Sequence, residues 1–248
     1  MATYILVHGA WHGGWCWHPI VARLRQASHD VIAPDLLSLG RDCTPTRTIT
    51  LARWAEQIAA LVQAAPEPVV LVGHSRGGIV LSEVAERIPE RIHTLIYVSA
   101  FLLDNGRSLQ DAAAEDTDSL VVPAVMTVNE EQLSVSLHEE AVRDIFYGQC
   151  SDEQVLLAQS LLRPEPLLPL ATPVSISAAR FGRVPRVYIE CTLDRAMTHA
   201  AQRRMQTAVP GSERISLQSD HSPFFSRADE LAAALLRTAR NSRCKRST

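Results

Sequence analysis

Gly73-His74-Ser75-Arg76-Gly77 sets a serine between two glycines, each one residue removed, directly after the apolar run Val69-Val-Leu-Val72. A β-branched run of this kind predicts a buried strand, and G-x-S-x-G at its end predicts a turn so tight that small residues must flank the serine. The stretch from Ile79 to Arg87 then has helical periodicity, so Ser75 is expected at a helix N-terminus. Free backbone N–H groups and the helix dipole favour negative charge there, the charge that develops when a hydroxyl attacks a carbonyl. The chemistry indicated is nucleophilic acyl transfer through Ser75.

A serine hydroxyl needs a base to take its proton, ordinarily a histidine held in one tautomer by a carboxylate. After such an elbow the chain order is serine, acid, histidine. Four histidines follow Ser75. His93 leads into a strand, His138 sits in a helix-like piece, and His199 opens a helix. His221, in Gln218-Ser-Asp-His-Ser222, occupies a short loop between the last predicted strand and the last helix, where a base can be brought over the elbow. For the acid, Asp194 follows the predicted strand Arg186-Val-Tyr-Ile-Glu-Cys191 and is the first choice, with Asp104, after the preceding strand, as its rival. Asp220 adjoins His221 too closely to orient its ring, and Glu190 lies within the strand.

The tetrahedral oxyanion needs two fixed donors, one from the residue after the nucleophile and one from the loop after the first strand. Those are the backbone N–H groups of Arg76 and of Ala10, the latter in His8-Gly-Ala-Trp-His-Gly-Gly-Trp15. His8 and His12 have the spacing of a zinc-binding pair but lack the glutamate base and the helix such a pair uses, so no metal is expected. Arg76 puts a cation at the positive end of a helix; its side chain is expected to reach solvent, or else to face the pocket mouth and hold a substrate oxygen.

These residues require a frame of strands and helices in alternation. Predicted strands lie at Tyr4–Val7, Asp30–Ala33, Val69–Val72, Thr94–Val98, Arg186–Cys191 and Arg214–Leu217. Predicted helices lie at Pro19–Gln26, Leu51–Ala64, from the elbow to Arg87, at His199–Thr207 and at Ala228–Arg240. That rhythm predicts a mostly parallel sheet covered on both faces. It breaks between Asp104 and about Val184, where prolines punctuate helix-like pieces such as Glu130–Tyr147 and Asp152–Leu162, and an inserted helical cap is expected. The expected organisation is a single domain over 1–248: a core of 1–103 and 185–240, the cap at about 104–184, and a basic, frayed tail at 241–248.

With 248 residues, 46% hydrophobic and 21% charged, the chain is long enough to bury one large core. A net charge of -3 offers no basic surface for nucleic acid. Five cysteines without C-x-x-C spacing imply neither a disulfide framework nor zinc, and fit a reducing, cytoplasmic setting. The first apolar run is too short for a signal-peptide core, and no run approaches a membrane span.

The stretches Ile5–Trp17, Gly73–Gly78, Cys150–Gln154 through Leu162–Pro164, and Arg180–Asp194 resemble the plant methylesterase and hydroxynitrile lyase family of α/β hydrolases. The similarity covers nearly the whole chain, and the Arg-rich, Lys-poor composition points to a bacterial relative. The resemblance implies an α/β-hydrolase fold and a cofactor-free Ser-His-Asp site under a small helical cap. It also implies a hydrophobic pocket for small esters or cyanohydrins. The family's motif positions fall on Ser75, Asp194 and His221, with Ala10 and Arg76 as oxyanion donors and Gly9, Trp11, Phe101 and Phe146 as candidate substrate contacts. Two residues depart from the pattern: Arg76 replaces a usually apolar residue, and Trp11 stands where a cysteine or smaller residue is common. Family lyases carry a hydroxyl or amide side chain at the position of Gly9, and one branch has a lysine at that of Ser222. The expected function is therefore that of a serine carboxylesterase for small to medium hydrophobic esters. A hydroxynitrile lyase is the first alternative and a non-catalytic ligand-binding protein the second. The expected partner is a small-molecule ester, with no nucleic acid and no membrane; the sequence leaves a homodimer open.

Overall fold

The computed structural model describes residues 1–244, with side chains described through Thr238. The expected basic tail thus lies largely outside the described residues. Among the described residues nine strands form: β1 (Thr3–Val7), β2 (Asp30–Ile32), β3 (Val69–Ser75), β4 (Ile92–Ala100), β5 (Met126–Asn129), β6 (Ser134–Leu137), β7 (Glu165–Pro166), β8 (Arg186–Cys191) and β9 (Ser212–Leu217). Six of them build one sheet in the order β2-β1-β3-β4-β8-β9, and every pairing in it is parallel.

Alternate residues of the central strands enter two separate cores, one on each face. From β1, Ile5 and Val7 join the first core and Tyr4 and Leu6 the second. From β4, Leu95 and Tyr97 join the first and Ile96 and Val98 the second. The helices Leu51–Ala64 and Gly77–Arg87 close the first core with Trp54, Ile58, Ile79 and Leu81, whereas His18–Gln26 and Ala228–Cys244 close the second with Ile20, Leu24, Leu231 and Leu235. Each fully buried Ile or Leu contributes about 1.5–3 kcal/mol, so this two-faced burial is what holds the strands in place. The connection out of β1 leads to β2 on one side while β3 lies on the other. This reversal opens a crevice outside the carboxyl ends of β1 and β3, the place where open α/β sheets gather ligands.

The segment between β4 and β8 covers that crevice, but its composition differs from the expectation of an all-helical cap. Its helices are short: Leu109–Ala114, Val142–Phe146, Asp152–Leu161 and Leu168–Ala171. Asp152–Leu161 starts on a capping box between Ser151 and Gln154, as its sequence suggests. The piece expected to be helical over Glu130–Tyr147 is instead the second half of an antiparallel hairpin of β5 and β6, extended by β7, followed by a short helix. Ser134, Val135, Ser136 and Leu137 alternate polar and apolar residues, a strand period, and Leu133 at φ 49° breaks any helix before it. Among the described residues no helix is long and apolar enough to cross a membrane.

Candidate active site

Strand β3 runs through to Ser75, and the helix Gly77–Arg87 begins two residues later. Ser75 sits at φ 51°, in the left-handed region, a strained setting for a non-glycine residue and one that concentrates at functional sites. The turn closes because its flanking positions carry no side chain. A Cβ on Gly73 would lie 2.6 Å from Leu81 Cδ1, and one on Gly77 would lie 2.9 Å from the Val7 carbonyl oxygen.

His221 lies in the loop after β9 and is 2% exposed. Its Nδ1–H donates to Asp194 Oδ2 at 2.6 Å, which fixes the tautomer and leaves Nε2 as the basic nitrogen. Asp194, in the loop after β8, is saturated with donors. Oδ2 also accepts from the Ser99 hydroxyl at 2.5 Å, and Oδ1 accepts from the N–H groups of Ala196 and Met197 at 2.8 and 2.9 Å. Ser75 and His221 share the wall of one cavity of about 110 Å³. A water-sized group needs roughly 10–15 Å³ on the same measure, so the cavity suits a ligand with on the order of ten heavy atoms.

The other candidate acids and bases are exposed or engaged elsewhere. Asp104 is exposed. Asp220 accepts from the Gln149 N–H and the Ser226 hydroxyl. Glu190 is held by Arg203, Gln206 and Ser216, with His199 beside it. His138 meets Thr127 in the cap hairpin, and His93 lies beside Thr94 at the start of β4.

Of the candidate substrate contacts, Trp11, Phe101 and Phe146 line the cavity, together with Ala10, Leu109 and Met197. Phe146 reaches down from the cap and packs on the His221 ring at 5.3 Å between centroids and on Trp11 at 5.8 Å. Gly9 is not on the wall. It packs beneath the elbow, where a Cβ would lie 2.8 Å from His74 Nδ1 and 3.0 Å from Ser75 Cβ.

The loop after β1 is fixed in detail. Leu36 N–H donates to His8 Nε2 at 3.0 Å, so His8 Nδ1–H donates to the Gly9 carbonyl at 2.9 Å. The Tyr147 hydroxyl and the Ala10 carbonyl flank His12 at 2.5 and 2.6 Å, which makes Nε2 the acceptor and Nδ1 the donor. Both nitrogens of both rings are therefore spent on the protein rather than aimed at a shared metal. Burial, then the Arg76 charge, holds His8 well below the ordinary imidazole range; burial brings His12 down to about 3. Trp11 adopts φ 61° and is pinned at three points by the cap. Its N–H donates to Glu165 Oε2 at 2.8 Å, its indole N–H to the Val135 carbonyl at 2.9 Å, and its carbonyl accepts from Arg163 N–H at 2.9 Å.

Arg76 overturns the expectation drawn for it. Its side chain does not reach solvent; it is fully buried, and the residue lines the cavity beside Ser75. Nε donates to Glu165 Oε1 at 2.9 Å, Nη2 donates to the Gly9 carbonyl at 2.9 Å, and the guanidinium stacks over Trp54 at 4.2 Å. Glu165, equally buried, is the residue that sequence reasoning missed. Burial raises its carboxyl above the usual range, and the Arg76 charge acts against that rise. A buried pair is stable only when its charges stay matched and hydrogen-bonded, which explains why two such residues face each other here.

The fold agrees with those of known proteins. A family model described as "Alpha/beta hydrolase family" matches residues 4–234. Salicylic acid-binding protein 2 of Nicotiana tabacum is 31% identical over 95% of this chain and 96% of its own length. Methylesterase 7 of Arabidopsis thaliana is 31% identical over 95% of each. The crystal structure of the Arabidopsis methylesterase MES16 superimposes with a TM-score of 0.85 at 26% identity, covering 96% of this chain and 99% of that one. The chain belongs to the alpha/beta hydrolase family, and its relatives there include plant methylesterases.

Proposed function

We propose that this chain is a serine carboxylesterase that hydrolyses small to medium hydrophobic esters through an acyl-enzyme on Ser75. The observation that carries the reading is that His221, with Nδ1 on Asp194, shares a mostly apolar cavity wall with a serine held in a left-handed elbow. In this reading His221 Nε2 accepts the Ser75 proton as Oγ adds to the ester carbonyl, and Asp194 stabilises the imidazolium that results. The N–H groups of Ala10 and Arg76 receive the oxyanion. Collapse expels the alcohol, which takes the proton from His221. Water, deprotonated by the same nitrogen, then adds to the acyl-enzyme and releases the acid. Trp11, Phe101 and Phe146 form the apolar surface for the substrate, with 104–184 as the cap of a single domain. The methylesterase names of the relatives support a compact ester as substrate. Three cysteines, Cys16, Cys150 and Cys191, are buried free thiols, which supports the cytoplasmic setting.

The lyase alternative is disfavoured by particular residues. Gly9 offers no side chain to hold a cyanohydrin oxygen and has no space for one, and Ser222 supplies no cation. Arg76, the cation nearest the elbow in sequence, is committed to Glu165 and Gly9. Aryl, methyl and longer-chain chromogenic esters assayed beside mandelonitrile and acetone cyanohydrin test the proposal. Ester turnover lost in Ser75→Ala, with an organophosphonate labelling Ser75 alone, is the expected result. Cyanide release with a kcat/KM equal to that of the best ester, or labelling of another serine, overturns it.

A further inference from the structure

We infer that the Arg76 side chain, paired with Glu165, is a positioning device for the oxyanion hole: it sets the plane of the Gly9–Ala10 peptide so that Ala10 N–H faces the reacting carbonyl. The inference rests on the esterase reading above and extends it to a residue pair with no part in the triad.

The chain contains no cis peptide bonds among its described residues, and in a trans peptide the C=O and the N–H of one unit point in opposite directions. The Gly9 carbonyl and the Ala10 N–H belong to the same unit. Whatever holds the carbonyl therefore aims the N–H. The Gly9 carbonyl is held twice, by Arg76 Nη2 and by His8 Nδ1, each at 2.9 Å, and Ala10 lines the cavity. Among the described residues no backbone acceptor engages the Ala10 N–H.

The next peptide unit is held by the same pair of side chains and their neighbours. The Ala10 carbonyl accepts from His12, and Trp11 N–H donates to Glu165 Oε2, while Glu165 Oε1 receives Arg76 Nε. Two consecutive peptides of the loop are thus tied to one buried ion pair. Its cation is carried by the residue whose own N–H is the second donor. Guanidinium geometry suits this task, because Nε and Nη2 can address two acceptors from one rigid plane, which an ammonium cannot reproduce. The Gly9 carbonyl satisfies a buried guanidinium N–H, which any buried arginine needs; what matters here is that the acceptor chosen belongs to the peptide carrying Ala10 N–H. This contact ties the pair to the oxyanion loop.

Truncating one partner alone would strand a buried charge, so the test removes both charges together. In Arg76→Met with Glu165→Gln, the methionine fills the stem, the glutamine carbonyl still accepts Trp11 N–H, and the backbone N–H of residue 76 is retained. The expected result is a folded protein whose kcat falls about 10- to 100-fold, less than deletion of an oxyanion donor because Ala10 N–H is tilted rather than lost. KM should stay within about threefold, since ground-state binding uses the apolar wall. Affinity for a trifluoromethyl ketone, whose tetrahedral adduct places an oxyanion in the hole, should fall in parallel with kcat. Arg76→Lys, with Glu165 retained, should recover part of the loss. Unchanged kcat and adduct affinity in a folded variant, or an effect confined to KM, overturns the inference. Should the double variant fail to fold, Arg76→Lys is read alone: reduced kcat at steady KM supports the inference and wild-type kcat overturns it. Wild-type turnover surviving Ser75→Ala would overturn the esterase reading itself. Serine-dependent turnover indifferent to Arg76 would overturn only this one.

Discussion

His74 Nε2 donates a hydrogen bond to the carbonyl oxygen of His221 at 2.8 Å, so the residue before the proposed nucleophile grips the loop that carries the proposed base. The ring of His74 also lies 4.5 Å from that of His221. One residue of the elbow is thereby tied to the loop that carries the imidazole.

Replacing that donor should be felt in stability and rate together. His74→Phe keeps the ring volume but leaves the buried His221 carbonyl without its partner, at an expected cost of about 1–3 kcal/mol in urea unfolding. The loosened loop should lower kcat by roughly tenfold. Unchanged denaturation midpoint and kcat would show that the contact positions nothing.

Asp194→Asn should supply an N–H where the His221 Nδ1–H needs an acceptor, favouring the tautomer that cannot accept the serine proton. The expected loss in kcat is about 10⁴-fold. Asp104→Asn, on an exposed side chain, should stay within about twofold. Steady-state kinetics on one aryl ester compares the two, and the reverse pattern would move the acid to the loop after β4.

Acid should destabilise the fold earlier than carboxylate titration explains. His8, His12 and His74 are buried and held below the ordinary imidazole range, burial being the first cause in each case. Below about pH 6.5 the unfolded chain binds protons on these three residues that the folded chain refuses. Their contribution is therefore full above about pH 6.5 and is lost as the pH falls, at up to about 1.4 kcal/mol per group per pH unit. Glu165, raised by burial, works in the opposite sense, but it is one group against three. Thermal midpoints at pH 7.5, 6.5, 5.5 and 5.0 should decline over that range; a flat profile down to pH 5 would contradict the assignment.

Chelation should leave ester hydrolysis unaffected, because the ring nitrogens of His8 and His12 bond to backbone and to Tyr147. Loss of rate in EDTA, restored by zinc, would refute this.

Much of the frame is legible because it rests on local periodicity. Leu51–Ala64 and Arg186–Cys191 form over the ranges their patterns predict, and the elbow declares itself through glycines that admit no Cβ. The hairpin of β5 and β6 was hidden because Glu130, Glu131 and Gln132 at its turn have ordinary helix propensity, while the strand period beside them spans only four residues. The pairing of Arg76 with Glu165 joins residues 89 positions apart, across the cap. No spacing rule reaches that far, and solvent is the usual destination of a guanidinium. The one local signal was a charged residue directly after the nucleophile.

Trp11 gives the cap a role beyond shelter. All three of its polar groups end on cap residues, at Glu165, Val135 and Arg163, and its peptide adjoins the one that carries the Ala10 N–H. The same three hydrogen bonds that seat residues 133–166 on the body of the molecule also fix the peptide beside Ala10. In the proposed reading, a substitution near Val135 or Arg163, far from the triad in sequence, is therefore felt at the oxyanion loop.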